Sequence, residues 1–258
     1  MKLTHSMKTV IGLLVLALAP VTGAYANALS ITYYTISPSD QDVNHVAFGS
    51  FDNEVQAQLG PNGLPVLNTP AFGCVSGCFS GAPFPQDVTA GGELTWWSPA
   101  LNSNVTNTGT STVNLPFSVP SNFFPPNGTG SSDTNGYQSA RLSGILNVPS
   151  METISFSIGA DDAAFAYLDG NVVCDLGGVH AMTVGTCVTP FSIGAGTHTL
   201  DVFFVDLNAV QSGLTFNVTT QDITITPPTG VPEPAELGLF GLGLSLIGLL
   251  AGRRRRLG

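Results

Sequence analysis

The chain has 258 residues, of which 17 are acidic and seven are basic, so its net charge is −10. The imbalance is sharper in the body, because residues 27–230 hold fifteen acids and one base, Arg141, a net of −14. Such a surface repels phosphate groups, which argues against a nucleic-acid partner. The 30 glycines and 18 prolines indicate many short strands and turns. The body, about 200 residues, is long enough for one domain with its own core.

The N-terminus has the pattern of a secretory signal peptide. Two lysines precede an apolar run at residues 10–19, and the triplet Ala-Tyr-Ala at residues 24–26 supplies a small-x-small cleavage site. The apolar run is too short for a permanent membrane helix. We therefore predict cleavage after Ala26, with Ala28 as the second choice, and exclude residues 1–26 from the fold.

Alternation of apolar and polar residues predicts the strands of the body. The predicted strands are residues 29–36, 94–97, 113–119, 138–146, 154–158, 164–168, 171–176, 198–206, 214–219 and 223–225. Together they predict an all-β fold, an antiparallel and jelly-roll-like β-sandwich over residues 27–226. Arg141 is expected to pair with a neighbouring acid. Trp96 and Trp97 are interpreted as core residues, with stacking on a sugar as the alternative.

Residues 159–180 concentrate acids around one predicted hairpin. Asp169 and Gly170 tolerate positive φ and predict its tight turn, and Gly159-Ala160 is expected to break the strand before it. Gly177-Gly178 is expected to let the backbone turn sharply or approach another segment closely. Asp161 and Asp162 are adjacent like charges, which are stable when exposed or when bound to a cation. Because Ca²⁺ prefers oxygen ligands, these two carboxylates predict a calcium site. The alternative is a solvated loop.

The same stretch resembles the core of the fibro-slime domain, which is itself similar to the protective-antigen-type lectin-like domain. The resemblance lies in Asp161-Asp162, an aromatic strand at residues 164–168, the Asp169-Gly170 turn and Gly-Gly-Val-His at residues 177–180. Weaker matches extend it to roughly residues 59–220. In sugar-binding relatives the Asp-Asp pair holds a calcium ion that contacts glycan hydroxyls. The resemblance therefore implies that Asp161 and Asp162 bind metal and glycan, with His180 beside them.

Four cysteines in an exported chain predict disulfides, although spacing alone does not fix the pairing. Local pairing favours Cys74–Cys78 and Cys174–Cys187. The second bond would hold the loop that carries His180. A zinc site is the alternative, but the spacing lacks a metal-finger pattern.

The C-terminus changes character after a Pro-rich linker at residues 227–234. Residues 237–252 are apolar and uncharged, and the eighteen residues 235–252 would span about 27 Å as a helix, enough to cross a bilayer. Arginines follow at residues 253–256 and would hold the tail in the cytoplasm. The segment as a whole, residues 235–258, is predicted to be a transmembrane helix with an Arg-rich tail.

These C-terminal features resemble the PEP-CTERM sorting signal of Gram-negative bacteria. The residues that carry the resemblance are Val231, Pro232, Glu233, Pro234, Arg253, Arg254, Arg255 and Arg256. The resemblance implies processing by a membrane exosortase, a transient inner-membrane anchor, and delivery of the body to the cell surface or its extracellular polysaccharide.

The sequence contains none of the motifs that mark common enzymes, such as a Gly-x-Ser-x-Gly elbow, a His-Glu-x-x-His helix or a Walker loop. We therefore expect a non-enzymatic surface or matrix protein that binds a glycan or matrix component, with calcium as its expected cofactor. The alternatives are a structural matrix protein with no discrete ligand and a glycan-active enzyme.

Overall fold

The computed structural model describes residues 27–43, 49–51, 53–68, 86–184, 186–187, 190–220 and 222–228. These ranges form fifteen β-strands and contain no α-helix. Among them there is accordingly no helix of the length and apolarity that a bilayer crossing requires. The predicted signal peptide, the Cys74–Cys78 bond, the sorting motif and the C-terminal helix all lie outside the described residues.

The strands fall into a large sheet, a small sheet and a two-stranded ribbon. The large sheet holds β1 (Ala28–Ile36), β2 (Gly49–Phe51), β3 (Val105–Asn114), β5 (Tyr137–Val148), β8 (Ala163–Leu168), β9 (Asn171–Val179), β11 (Thr186–Cys187), β13 (Gly196–Val205) and β15 (Thr224–Thr226). The small sheet holds β4 (Phe117–Val119), β7 (Phe156–Asp161), β10 (Thr183–Val184) and β14 (Gly213–Val218). The ribbon is β6 (Glu152–Ile154) with β12 (Phe191–Ile193).

Every strand pairing in these sheets is antiparallel. The large sheet runs in the order β11-β9-β8-β13-β5-β1-β3, and the small sheet runs β10-β7-β14-β4. Chain neighbours therefore switch sheets repeatedly, as when β7 of the small sheet leads into β8 of the large one. The arrangement confirms the predicted all-β sandwich.

The central strands of the large sheet are buried on both faces. On β13, Val202 and Phe204 belong to the core that also includes residues of the small sheet, such as Ile158 and Phe216. Phe203 and Val205 face a second core. Long loops, including the one that carries Trp96 and Trp97, cover that second face. The strand is therefore buried on both faces along this part of its length.

The two tryptophans are core residues, as the sequence interpretation preferred. Trp96 is fully buried and Trp97 is 3% exposed. The indole N–H of Trp97 donates to the backbone oxygen of Phe204 at 2.7 Å, and that of Trp96 donates to the Asp42 carboxylate at 3.1 Å. Both polar groups are thus satisfied inside the protein, which leaves no exposed indole face for a sugar.

The predicted strand break at residues 159–160 is wrong, and at Gly177-Gly178 the structure has the predicted close approach rather than a sharp turn. β7 continues through Gly159 and Ala160, because these residues pair with both β14 and β10. β9 continues through Gly177 and Gly178 to Val179, because β2 pairs with it there. Partner strands from distant parts of the chain stabilise extended backbone that the local sequence does not favour.

Two further strand predictions need correction. Residues 94–97 make one isolated bridge, from Leu94 to Val88, and a turn rather than a strand. The predicted strand at 113–119 is divided at Leu115 and Pro116 into the end of β3 and the short β4. The polar stretch before it, which was expected to be a loop, is the edge strand β3. Its side chains can be polar because most of them face solvent.

The predicted hairpin turn is confirmed, and a histidine from another strand is bound to it. Asp169 and Gly170 have φ values of 49° and 73° between β8 and β9. The carboxylate of Asp169 accepts from Thr199 N at 2.8 Å and contacts His198 Nδ1 at 2.6 Å, while His198 Nε2 lies 3.1 Å from the oxygen of Gly194. Both ring nitrogens face acceptors, which favours the charged imidazolium.

Elsewhere Arg141 pairs with Asp201 at 3.0 Å, as predicted.

A loop at residues 53–60 packs along β9 where the two glycines occur. Gly178 N donates to Glu54 Oε2 at 2.6 Å, and Val55 N donates to Asp175 Oδ2 at 3.1 Å. A Cβ at Gly177 would overlap Oε2 of Glu54 and lie 2.5 Å from its Cβ. Gly177 is therefore required for the close approach of this loop to the strand.

The His198–Asp169 pair predicts a pH-dependent contribution to stability. The Asp169 hydrogen bond raises the pKa of His198 above its usual 6.5, against the opposing effect of burial. Burial alone would raise the pKa of Asp169, but the bonds from His198 and Thr199 lower it overall. The pair should therefore stabilise the fold between the lowered Asp169 pKa and the raised His198 pKa, by less than about 1 kcal/mol because it is partly exposed.

This prediction is tested by a double-mutant cycle with His198→Gln and Asp169→Asn, measured by urea unfolding at about pH 6 and about pH 9. Asn is tolerated at a turn position with positive φ, so the turn is kept. We expect the coupling free energy to be present at the lower pH and to vanish at the higher one. An equal coupling at both pH values would contradict the ion pair.

Gly177→Ala should lower the free energy of unfolding by about 1–3 kcal/mol, because the new methyl group overlaps the side chain of Glu54, which the amide of Gly178 holds in place. Gly194→Ala is the matched control, because no atom lies within 4 Å of its Cβ position. Chemical denaturation of both variants measures the difference. Equal stability of the two variants would contradict the close packing of Glu54 on β9.

Candidate functional site

The predicted Asp-Asp pair lies where the chain passes from one sheet to the other. Asp161 ends β7 and pairs with Gly213 of the small sheet, and Ala163 begins β8 and pairs with Val205 of the large sheet. The peptide bond between Asp161 and Asp162 is cis. Both side chains are buried, with exposures of 7% and 1%. The predicted alternative of a solvated loop is therefore wrong.

The carboxylate of Asp162 binds three backbone amides from two other segments. Its Oδ1 accepts from His180 N at 3.0 Å, just after β9. Its Oδ2 accepts from Leu207 N at 2.7 Å and from Asn208 N at 2.9 Å, just after β13. One side chain thus holds together the ends of two strands and the junction of the two sheets.

Asp206 lies in the same region and its carboxylate is left without a partner. The residue has no exposed surface, and neither side-chain oxygen accepts a hydrogen bond within the described part of the chain. Burial, followed by the charges of Asp162, Asp133 and Asp161, raises the pKa of Asp206 well above its ordinary value. The amide of Asn208, which donates to Asp162, offsets this only in part. An unpaired buried carboxylate is costly unless a proton or a cation neutralises it.

Asp133 adds a fourth carboxylate. Its Oδ2 accepts from Val210 N at 2.8 Å, which ties the loop after β13 to the segment before β5. Tyr137 lies close by: burial, then Asp133, Asp206 and Asp162, raise its pKa to about 12. We call the four carboxylates the acidic corner; its members are Asp133, Asp161, Asp162 and Asp206.

His180 borders the acidic corner but its ring is not free on the surface. The residue is 7% exposed, its Nδ1 lies 3.0 Å from the oxygen of Ala181, and its buried Nε2 has no partner among the described residues.

Burial raises the pKa of Asp161, while the amide of Met182 and the charge of His180 lower it. For Asp162, burial is the largest cause of a pKa of about 8.

The protein supplies almost no positive charge to balance this corner. Arg141, the one Lys or Arg between residues 27 and 230, is paired with Asp201 on β13. In the described ranges, no three His, Cys, Asp or Glu side chains converge closely enough to hold a metal ion by themselves. A cation here would therefore complete its coordination with backbone carbonyl groups or water, as Ca²⁺ commonly does.

The structure brings the three predicted site residues together, because Asp161, Asp162 and the backbone of His180 meet at one corner. The predicted Cys174–Cys187 disulfide is confirmed and joins β9 to β11. The sequence analysis did not identify Asp206 or Asp133 as members of the site. Their only sequence signal is an isolated acid beside a strand, a pattern that many solvated acids share.

Comparison with known proteins gives one family match. The family model of the PA14 domain matches residues 126–229, a segment that runs from β5 to β15 and includes the whole acidic corner. No curated protein matches the chain.

Several solved structures are similar to this one at low sequence identity. A PA14 sugar-binding domain from an RTX adhesin is 13% identical, with 78% of this chain and 95% of that chain covered and a TM-score of 0.37. The epithelial adhesin 9 A domain of Candida glabrata, in complex with Galb1-4GlcNAc, is 13% identical, with coverages of 77% and 85% and a TM-score of 0.38.

A β-glucosidase of Kluyveromyces marxianus, in complex with glucose, is 14% identical, with a TM-score of 0.33. The similarity covers 46% of this chain and only 15% of that enzyme. The family match covers less than half of the chain, so the finding is a similarity of residues 126–229 to the PA14 domain.

Proposed function

We propose that the β-sandwich is a carbohydrate-binding module that uses a calcium ion at the acidic corner to contact sugar hydroxyls. The observation that carries the proposal is Asp206, a fully buried carboxylate with no partner in the described structure, beside Asp161 and Asp162. The match of residues 126–229 to the PA14 domain, which include the acidic corner, also supports a carbohydrate-binding module.

The residues of the corner fit a hard divalent cation. Burial, and after it the charges of neighbouring acids, raises the pKa of Asp162 and Asp206. Carboxylates are the ligands that Ca²⁺ prefers, and a bound cation would favour their charged form against both effects. Asp206 and Asp161 would hold the ion, while Asp162 positions the loops by its three amide bonds. The bound ion would supply electrophilic coordination to hydroxyl oxygens of a sugar.

The surroundings of the corner suit the apolar face of a sugar ring. Val184 on β10 and Val210 on the loop after β13 are 76% and 75% exposed. The two elements lie next to Asp161, since Thr183 pairs with Ala160 and Gly213 pairs with Asp161. Exposed apolar side chains beside hydroxyl-binding groups are the usual composition of a ligand site.

Asp206→Asn should have opposite effects without and with calcium. In a chelator it should stabilise the protein, because it removes an unpaired buried charge without removing a hydrogen bond. In calcium it should remove the part of the wild-type stabilisation that an ion at the acidic corner contributes, which at a hundredfold excess over Kd is about 2.7 kcal/mol. Thermal melting of the full-length chain, with and without calcium, measures both effects, and a glycan array under the same two conditions tests sugar binding.

Asp222→Asn is the matched control, since Asp222 is exposed and lies outside the corner. It should behave as the wild type in both conditions. If calcium raises the melting temperature of Asp206→Asn as much as that of the wild type, the corner is not the cation site. If the wild type retains no glycan in either condition, the module is better described as a structural matrix protein.

We also propose that the body is exported and processed at the PEP-CTERM-like motif by an exosortase, so that it reaches the cell surface or extracellular polysaccharide. The support is the sequence alone: the signal-peptide pattern, Pro232-Glu233-Pro234 and the terminal arginines. On this proposal the apolar segment at 235–252 anchors the precursor in the inner membrane and is then removed.

The export proposal is tested by mass spectrometry of the mature protein from the expressing cell. We expect an N-terminus at Asn27 and a C-terminus near Glu233, and we expect retention in the membrane fraction when Pro232, Glu233 and Pro234 are replaced by alanine. Alanine replacement of the linker residues Pro227, Pro228 and Thr229 is the control. A mature chain that still ends at Gly258 would contradict processing.

A further inference from the structure

We propose that the body holds a second cation site, built by Glu54, Tyr167 and Asp175, that takes a divalent cation preferring oxygen ligands. The site lies between the second core and β9, where the loop at residues 53–60 packs against the large sheet. Glu54 is outside the segment that matches the PA14 domain.

The backbone geometry brings the two carboxylates to the same place. Glu54 Oε2 accepts from Gly178 N at 2.6 Å, and Asp175 Oδ2 accepts from Val55 N at 3.1 Å, so each segment binds the acid of the other. Ala57 and Gly170 accept two more amides across the same boundary, from Val172 and Leu59. The loop and the strand are thus fixed on both sides of the acid pair.

Two polar atoms at this place have no partner and no access to solvent. Glu54 Oε1 and the hydroxyl of Tyr167 make no hydrogen bond within the described residues, and both residues are 0% exposed. Phe165 pairs with Asp175, and Tyr167 lies two residues further along β8 in the same second core, which brings its side chain to this part of the sheet. Burial, then the charges of Asp175 and Glu54, raise the pKa of Tyr167, in agreement with this placement. A buried hydroxyl and a buried carboxylate oxygen without partners indicate a missing ligand with oxygen affinity.

The charge of the site favours a divalent ion. Burial and then Asp175 raise the pKa of Glu54 to about 8, and Asp42 adds to the effect from further away. Asp42 does not compete for the ligand, because its oxygens accept from Gln86 N, Asp87 N and the indole of Trp96. No described Lys or Arg other than Arg141 is available, and Arg141 is paired with Asp201. One divalent cation balances the two carboxylates.

The proposed site is distinct from the acidic corner, although both lie along the same end of β9. Glu54 binds the amide of Gly178, and Asp162 binds the amide of His180 two residues later. The second ion would connect the loop to the sheet, and the first would contact ligand. The two proposals can therefore fail separately.

The test is isothermal titration of the purified full-length chain with calcium chloride. We expect two equivalents for the wild type, one for Glu54→Gln, one for Asp206→Asn and none for the double variant. Tyr167→Phe removes only the hydroxyl and should weaken the second site by about tenfold, as the loss of one supporting group does in other metal sites. Glu152→Gln, the same change on the two-stranded ribbon, should leave two equivalents.

Each departure from this pattern has a definite meaning. If Glu54→Gln still binds as many calcium ions as the wild type, the proposed site is wrong. If Glu54→Gln is more stable than the wild type in calcium as well as in a chelator, the two acids share a proton instead, and the proposal is also overturned. One equivalent that is lost in Glu54→Gln and kept in Asp206→Asn supports this site and contradicts calcium at the acidic corner.

Discussion

The structure depends on burying carboxylates in a protein that has almost no cations of its own. Seven acids lie in the interior of the described chain: Asp40, Asp42, Glu54, Glu93, Asp161, Asp162 and Asp206. The single arginine of the body is engaged by Asp201. Backbone N–H groups replace positive side chains in most cases, and a carboxylate that accepts two or three of them stays stable in the interior. Asp162 and Asp42 are stabilised in this way. Glu54 accepts an amide with one of its two oxygens, and the Asp206 oxygens accept no hydrogen bond within the described residues.

The satisfied acids also explain how long loops without regular structure cover one face of the large sheet. Glu93 accepts from the backbone and side-chain nitrogens of Asn62 at 2.8 and 2.6 Å, and Asp42 accepts from the indole of Trp96. Each acid crosses from one loop to another, so the second core is enclosed by hydrogen bonds between loops rather than by a third sheet. Because hydrogen bonds fix these loops, the aromatic residues of the second core stay shielded from solvent.

Local sequence patterns predicted the parts of the fold that depend on local chemistry. The turn at Asp169-Gly170 and the strands on both sides follow from turn preference and alternation. The edge strand β3 was missed because its residues are polar on a face that meets solvent, and the continuation of β9 was missed because β2, which lies more than a hundred residues earlier, stabilises it. Asp206 and Glu54 were missed for the same reason, since their importance arises from contacts that no neighbouring residue indicates.

The three amide bonds of Asp162 have a consequence for how this module would meet a partner. They fix the residues after β9 and after β13 relative to each other and to the junction of the sheets before any ligand arrives. A binding surface whose loops are already ordered loses little conformational entropy on association. Weak individual contacts, such as those to sugar hydroxyls, then contribute nearly their full free energy to affinity, and encounter does not wait for a loop to close.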